Sequence, residues 1–226
     1  MEKIVISLGG SILIPDDRDG TFLNDLASLL RALTDEMEIY VVCGGGRVAR
    51  YYINTARELS ATEEQLDELG IGVTRLNARL LQLALKDIAY DEVPVTIEEA
   101  AAQGRPGRVA VMGGTTPGHT TDGVSAALAE KVGASRIVNA TSVDGVYSAD
   151  PRKFPDARKY DRLTFDQLGD MMAGGHGAGN SHVFDPMGAD IIKRCRIPLF
   201  IVSGRDLQDM EDAMRGGRIR GTVIGD

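Results

Sequence analysis

The stretch "VMGGTTPGHTTDGVSAALAEKVGASRIVNA", residues 111–140, has the pattern of a strand, a polar glycine loop, a helix and a second strand. Its two ends are short and apolar, as expected of strands buried on both faces, whereas residues 122–132 carry apolar side chains at helical spacing. A strand joined to the next strand through a helix is the unit from which parallel sheets are built. The stretch therefore predicts an α/β fold.

The same alternation runs along the whole chain. It predicts a three-layer αβα sandwich with a central, mostly parallel twisted sheet, formed by residues 1–226 as a single domain. Residues 142–163 are too long and too polar for a simple connection and are predicted to be a binding loop. The strand-like segments are KIVISL (3–8), EIYVVC (38–43), RVAVM (108–112), SRIVNA (135–140) and PLFIVS (198–203). The main helix-like segments are residues 22–33, 47–59, 62–90, 122–132 and 181–195.

Composition limits the class of protein. The formal net charge of −8 argues against a general nucleic-acid binder, because such proteins present a basic surface to phosphates. Cys43 and Cys195 stand in apolar runs without CxxC spacing, so buried reduced thiols are expected. No apolar run is long enough for a spanning helix, and the first residues are strand-like rather than signal-like. These features predict a soluble protein of the cytoplasm.

Three glycine clusters follow three predicted strands: LGGS (8–11), GGGRVAR (44–50) and GGTTPGHTTD (113–122). Carboxyl ends of parallel strands form the ligand-binding edge of an open sheet, where glycines allow close approach of the backbone and helix N-termini present N–H groups to anions. One such cluster would be an ordinary turn. Three at the same edge predict a ligand rich in phosphate.

The common phosphate-binding motifs do not fit. No segment matches the GxxxxGK[ST] of a P-loop, which disfavours an ordinary P-loop kinase. Gly44, Gly46 and Ala49 satisfy the dinucleotide spacing, but the acidic residue expected at the end of a following strand is missing, since Asp67 lies in a helical stretch. A nicotinamide or flavin enzyme is therefore disfavoured.

The motifs SLGGSIL, VVCGGGRVARYY, VMGGTTPGHTTDGVSAALAEKVGA and NATSVDGVYSADPRK, together with the closing IRGTVIGD, resemble the ordered motifs of the amino acid kinase superfamily, most closely its archaeal uridylate kinase branch. The resemblance runs nearly from end to end. It implies Mg²⁺-dependent transfer of the ATP γ-phosphate to UMP, giving UDP for pyrimidine biosynthesis, in a cytoplasmic homohexamer. The acceptor nucleotide would lie mainly within residues 1–134 and ATP mainly within residues 135–226.

The resemblance also implies roles for individual residues. Asp122 would orient groups near the phosphoryl in flight, with Mg²⁺ bound directly or through water and no dedicated metal ligand assigned. Arg50 would clamp phosphates through paired donors, and the amides of Gly9 and Gly10 would face the transferred group. The acceptor side would comprise Gly44, Gly45, Asp67, Thr115, Thr116, Pro117, Gly118, His119, Thr120 and Thr121. The ATP side would comprise Gly9, Gly10, Gly46, Arg50, Thr141, Tyr147 and Asp150.

Two departures from the superfamily pattern bear on mechanism. Ser7 stands where many members have a lysine, and the later glycine-rich segment, residues 174–185, lacks a second one. The charge of the transition state must still be offset. We expect Mg²⁺, Arg50 and backbone amides to do so, with Arg47 in reserve.

Several alternatives stay open at the level of sequence. His176 and His182 are interpreted as loop and cap residues, while His119 could donate to the UMP phosphate without acting as a general base. The same pattern would suit a kinase for another small acceptor, of the isopentenyl phosphate or acetylglutamate type. It would also suit a non-catalytic nucleotide or oxyanion binder. Two of the residues assigned to the acceptor side, Thr120 and Thr121, also stand at a helix start, where ordinary N-capping would explain one of them.

Overall fold

The computed structural model describes residues 1–15, 20–151, 153–173 and 184–226. Its strands are β1 Glu2–Leu8, β2 Met37–Cys43, β3 Val109–Met112, β4 Arg136–Thr141, β5 Val146–Tyr147, β6 Lys159–Tyr160, β7 Arg162–Leu163, β8 Leu199–Ser203 and β9 Thr222–Ile224. Its helices are α1 Gly10–Leu13, α2 Gly20–Leu33, α3 Gly46–Glu58, α4 Glu63–Leu85, α5 Ile97–Ala102, α6 Thr121–Val132, α7 Phe165–Ala173, α8 Pro186–Cys195 and α9 Leu207–Met214, with a 3-10 turn at Lys86–Ile88.

Seven of the described strands form one sheet in the order β3-β2-β1-β4-β8-β9-β7. The five predicted strands pair in parallel, and β9 runs antiparallel to β8. From β1 the chain builds first towards β3 and then, from β4, towards β8. The point where this direction reverses lies between β1 and β4, and open α/β sheets bind ligands outside the strand ends at such a point.

Alternate residues of the strands enter two separate cores, as the period of two along a strand requires. Ile4, Ile6 and Leu8 of β1 pack with residues of α2, α4 and α9. Val5 packs on the other face, with residues of α5, α6, α7 and α8. Helices therefore cover both faces of the sheet, which confirms the predicted αβα layering. None of the described helices combines the length and the apolar character needed to cross a membrane.

Two predicted helix boundaries were wrong. The helix expected over residues 181–195 begins at Pro186, because the Asp185 side chain caps it by accepting from the Gly188 amide at 2.8 Å. A residue that precedes proline is also biased away from helical geometry. The helix expected over residues 62–90 ends at Leu85, where Lys86 has a φ of +55° and the chain turns into the 3-10 segment.

Candidate active site

A cleft of about 840 Å³ opens at the carboxyl ends of β1, β2 and β4. It is lined by the first two glycine turns, by the first turn of α6 and by the loop that follows β4. Predicted site residues among its walls are Gly9, Gly10, Gly44, Gly45, Gly46, Arg50, Thr121, Asp122, Thr141, Tyr147 and Asp150. The prediction that the three glycine clusters share one edge of the sheet is confirmed, because β1, β2 and β3 run parallel; the third cluster contributes only Thr121 and Asp122 to the cleft.

The first two glycine turns are in main-chain contact. A Cβ on Gly10 would lie inside the van der Waals radii of the Gly46 nitrogen and the Gly44 oxygen, so no side chain fits there. Gly46 has a φ of +61°, a conformation that glycine adopts without strain. The turn after β1 also donates from Gly9 N to the Ala140 oxygen at the end of β4. These contacts bring the ends of β1, β2 and β4 together.

Both turns lead into helices that lack side-chain caps. Gly9 precedes α1 and Gly45 precedes α3, and neither residue has a side chain that could accept the first N–H groups of its helix. No side chain therefore caps the start of α3, and the helix dipole favours negative charge there. The Thr120 hydroxyl, in contrast, caps α6 by accepting from Gly123 N at 3.1 Å, as the capping interpretation predicted.

Asp122 lies in the first turn of α6 and lines the cleft. The Ser7 hydroxyl donates to its Oδ1 at 2.9 Å. Burial raises the pKa of Asp122 from 3.8 to about 6; the Ser7 hydrogen bond opposes this rise, and the charge of Asp185 adds to it. The surroundings of Asp122 thus disfavour the ionised form of its carboxyl group, and such perturbed groups are typical of functional positions.

Asp185 was not among the predicted site residues. Besides capping α8 it accepts from the Thr120 hydroxyl through Oδ2, and so it joins the first turns of α6 and α8. The Asp-Pro pair at positions 185 and 186 is a recognisable helix start that could have indicated the cap. Its proximity to Asp122 depends on the fold, since the two residues are far apart in the chain.

Arg50 supplies positive charge to the cleft. Its Nη2 lies 3.4 Å from the Ser11 hydroxyl, across the junction of the two glycine turns. Of the described residues that line the cleft, Arg50 alone is a lysine or arginine, whereas Asp122, Asp144 and Asp150 are acidic. Arg47 is half-buried and is not part of the lining. A polyphosphate bound here would need further positive charge.

The predicted binding loop over residues 142–163 contains the β5–β6 hairpin. Asp144 accepts from the Tyr147 hydroxyl at 2.8 Å and from Lys159 Nζ at 3.1 Å, which links it to both strands of the hairpin. Thr222 of β9 accepts from Val146 N at 2.9 Å and ties the hairpin to the main sheet. The hydroxyl of Tyr147 is thereby engaged, while the residue still lines the cleft.

Residues 113–120 of the third glycine cluster are held against α4 and are not among the cleft walls. Asp67 Oδ2 accepts from Gly118 N at 2.7 Å. Arg75 donates to the Gly114 oxygen at 3.1 Å and to the Thr115 oxygen at 3.0 Å, and the Thr74 hydroxyl accepts from Gly114 N at 2.7 Å. Of the predicted acceptor residues, Thr115, Thr116, Pro117, Gly118, His119 and Thr120 belong to this loop and are absent from the lining. Sequence reasoning missed Arg75, whose partners lie 39 and 40 residues away.

The histidines and cysteines add little to the site. His119 is exposed, with Nδ1 3.3 Å from the Thr116 hydroxyl oxygen. His176 and His182, like most of residues 174–185, lie outside the described residues. Both cysteines are free: Cys43 is buried as predicted, whereas Cys195 is only partly buried and donates to Glu130 Oε1 at 3.2 Å. Burial raises the pKa of the Cys43 thiol, so it is a poor nucleophile.

Comparison with known proteins identifies the family to which the chain belongs. Residues 2–203 match the amino acid kinase family. A uridylate kinase of Methanoculleus marisnigri is 47% identical over 225 residues, covering 99% of this chain and 96% of the relative. One from Methanothermobacter thermautotrophicus is 46% identical, with 98% and 99% of the two chains covered. The crystal structure of uridylate kinase from Archaeoglobus fulgidus superposes with a TM-score of 0.88 at 41% identity, over all of both chains. The chain belongs to the amino acid kinase family.

Proposed function

We propose that this chain is an ATP-dependent nucleoside monophosphate kinase that transfers the γ-phosphate of ATP to UMP. An α-phosphate oxygen of UMP forms the new bond to phosphorus, the bond from that phosphorus to the β,γ-bridging oxygen breaks, and the products are UDP and ADP. The observation that carries the proposal is one cleft with Asp122, Arg50 and the uncapped start of α3 at the topological switch point. The full-length similarity to uridylate kinases supports UMP as the acceptor.

The proposal keeps the predicted division of the chain. We assign the acceptor nucleotide mainly to residues 1–134, which include the loop held by α4, and ATP mainly to residues 135–226, which include the hairpin beside the cleft. The two parts form a single domain in this proposal. Phosphoryl transfer then takes place where the turns after β1 and β2 meet. No general base is required, since the attacking atom is already an anionic phosphate oxygen.

Mg²⁺ is part of the proposal, and the residues present suit it. Asp122 lines the cleft and provides carboxylate oxygens, the ligand type that Mg²⁺ prefers, and Mg²⁺ is usually held by one or two carboxylates plus substrate phosphates. When bound, it would neutralise phosphate charge that Arg50 alone cannot balance. Asp122 would hold it directly or through water, while Arg50 and the α3 amides bind phosphate oxygens.

The proposal is tested by measuring ADP formation by the purified protein with ATP and Mg²⁺, offering UMP, CMP, AMP, isopentenyl phosphate and N-acetylglutamate separately. We expect turnover with UMP at least about 100-fold above the other acceptors, because a site built to hydrogen-bond one base rejects others strongly. Preferred turnover of another acceptor would move the chain to a different kinase of the family. ATP binding without any turnover would make it a nucleotide binder.

Arg75 provides a more local test of the acceptor side. Arg75→Ala removes two hydrogen bonds that hold the loop over residues 113–120 to α4. We expect the KM for UMP to rise about tenfold, because the loop must then be ordered at the expense of binding energy, while the KM for ATP stays within about twofold. Steady-state kinetics with each nucleotide varied in turn would measure this. An equal rise for both nucleotides would contradict the assignment of the loop to UMP.

Self-association, including the homohexamer that the family resemblance implies, is also a proposal. Leu69, Leu76 and Leu83 recur every seven residues along α4 and are exposed, Leu76 by 66% and Leu83 by 60%. Tyr52 of the neighbouring α3 is exposed as well. An apolar stripe of this kind on a folded protein favours burial against another copy.

We expect the double substitution Leu76→Lys and Leu83→Lys to reduce the mass measured by light scattering to that of a smaller assembly. The control is Val95→Lys, an exposed apolar residue outside the stripe, which should leave the mass unchanged. A wild-type mass of 24.2 kDa, that of one chain, would contradict self-association.

A cytoplasmic location remains part of the proposal. Free thiols at Cys43 and Cys195 suit a reducing compartment. The substrates ATP and UMP are also those of nucleotide metabolism. We therefore place the activity in pyrimidine nucleotide synthesis in the cytoplasm.

A further inference from the structure

Ser7 is a polar residue in the most buried part of the sheet. It belongs to β1, whose residues Ile4, Val5, Ile6 and Leu8 are all apolar and buried, and it is itself 2% exposed. In the parallel register it stands opposite Asn139 of β4, another buried polar residue, at the switch point of the sheet. A hydroxyl buried among apolar neighbours is unfavourable unless it is hydrogen-bonded, so its partner matters.

The partner of Ser7 is the carboxylate of Asp122. The two residues are 115 positions apart in the chain, and the Ser7 hydroxyl donates to Asp122 Oδ1 at 2.9 Å. Ser7 lies on the same face of β1 as Val5, which packs against the layer that contains α6. Both residues line the cleft. The bond therefore joins the central strand to the first turn of α6 at the floor of the site.

An aspartate needs such a partner if its oxygens are to keep one orientation. Rotation of the carboxylate about χ2 is broad and has little intrinsic preference. A hydrogen bond from a neutral hydroxyl to an ionised oxygen is charge-assisted and stronger than an ordinary one. Because Ser7 is on a strand paired on both sides, its hydroxyl is a fixed point to which the carboxylate can be held.

We propose that Ser7 is a positioning residue for phosphoryl transfer, and that its buried hydroxyl holds Oδ1 of Asp122 so that the carboxylate keeps a single orientation towards the transferred group. The proposal rests on the proposed function. It gives the serine a task different from that of the lysine found at this place in many family members. Ser7 carries no charge and therefore cannot neutralise a phosphate as a lysine can; it acts through Asp122 instead.

The test compares four variants of the full chain in the UMP assay. Ser7→Ala removes the hydroxyl, Ser7→Cys keeps a similar volume with a much weaker donor, and Ser7→Thr keeps the hydroxyl. We expect kcat to fall about tenfold in the first two, with both KM values within about twofold, and to recover to within about threefold in Ser7→Thr. The matched control is Ser125→Ala, which removes a buried hydroxyl of α6 that donates to the Thr121 oxygen. It should leave kcat within about twofold.

A double-mutant cycle separates positioning from general support of the fold. In the Asp122→Asn background, Ser7→Ala should change kcat by less than about twofold, because the group through which it acts has been altered. A tenfold loss in both backgrounds would overturn the proposal, as would unchanged kcat in Ser7→Ala. An equal loss in Ser7→Thr and Ser7→Ala would overturn it too, provided that thermal unfolding shows both variants folded. If the wild-type protein does not phosphorylate UMP, both the proposed function and this inference are wrong. If the wild type is active and the Ser7 variants have the same kcat, only the inference is wrong.

Discussion

Asp122→Asn is expected to lower kcat for UMP phosphorylation by about 100- to 1000-fold, the range seen when one preorganised electrostatic group is removed from a transition state. The carboxylate lines the cleft at the first turn of α6, and the amide that replaces it has similar shape but no charge. Steady-state kinetics at saturating ATP and UMP would measure the change. A variant that retains more than about a third of the activity would contradict the central role given to this residue.

The pH dependence of the wild type follows from the same group. Burial, with the nearby charge of Asp185, raises the pKa of Asp122 to about 6, and the ionised form is the one that can hold Mg²⁺. We therefore expect the ratio of wild-type kcat/KM to that of Asp122→Asn, in which the ionisation of the substrate phosphates cancels, to rise about tenfold per pH unit below pH 6 and to level off above pH 7. A ratio that is flat between pH 5 and pH 7 would contradict the assignment.

The same substitution should stabilise the protein. A carboxyl whose pKa is higher in the folded state than in the unfolded chain binds protons more tightly when folded, so stability is lost as the pH rises from about 4 through 6. Above pH 7 the full penalty is present, and Asp122→Asn should recover of the order of 2 kcal/mol of unfolding free energy, or about 5 °C in Tm. At pH 4 the difference should nearly vanish. Thermal unfolding of both proteins at pH 4 and pH 8 would measure this, and a destabilised variant at pH 8 would contradict it.

Arg50→Ala is expected to reduce kcat/KM by at least about 100-fold, because arginines that meet transferring phosphoryl groups contribute this much or more. Among the described lining residues it alone is a lysine or arginine, whereas three are carboxylates. Arg50→Lys should recover part of the loss at most, since an ammonium keeps the charge but lacks the planar pair of donors. The comparison requires kinetics with ATP and UMP varied separately.

Arg57→Ala is the matched control for Arg50. It removes an arginine from the same helix, one whose partner is Glu63 at 3.6 Å in an exposed ion pair. Exposed ion pairs of this kind contribute little to stability. Activity should therefore change by less than about twofold, and the free energy of unfolding by less than about 1 kcal/mol. Intact turnover in Arg50→Ala would contradict the role given to Arg50.

The fold was predictable because the main strands are recognisable in the sequence as short apolar runs. Apolar runs of five or six residues such as EIYVVC and PLFIVS are buried on both faces, and each became a parallel strand. The two-residue strands of the hairpin are too short to show any periodicity. The antiparallel pairing of β9 with β8 depends on contacts across the sheet, which the local pattern cannot reveal.

The site was predictable to the extent that it is made of strand ends. Glycine clusters after β1 and β2 had to meet once the sheet was parallel, and they do. Ser7, Arg75 and Asp185 could not be assigned in this way, because each contacts a partner 39 or more residues away whose position is set by packing. In isolation Ser7 is one hydroxyl at the end of a strand, and Arg75 is one of several arginines on a long helix.

The contact between the glycine turns has a consequence for how such a protein can vary in evolution. Where main-chain atoms of Gly10 and Gly46 meet, any missense change that adds a side chain forces the two strand ends apart. At positions whose side chains only surround that contact, a substitution does not create this steric clash. Selection should therefore hold the glycines fixed while it permits exchange nearby, so that a lineage can replace a charged side chain at position 7 by a serine and keep the same phosphate-binding backbone.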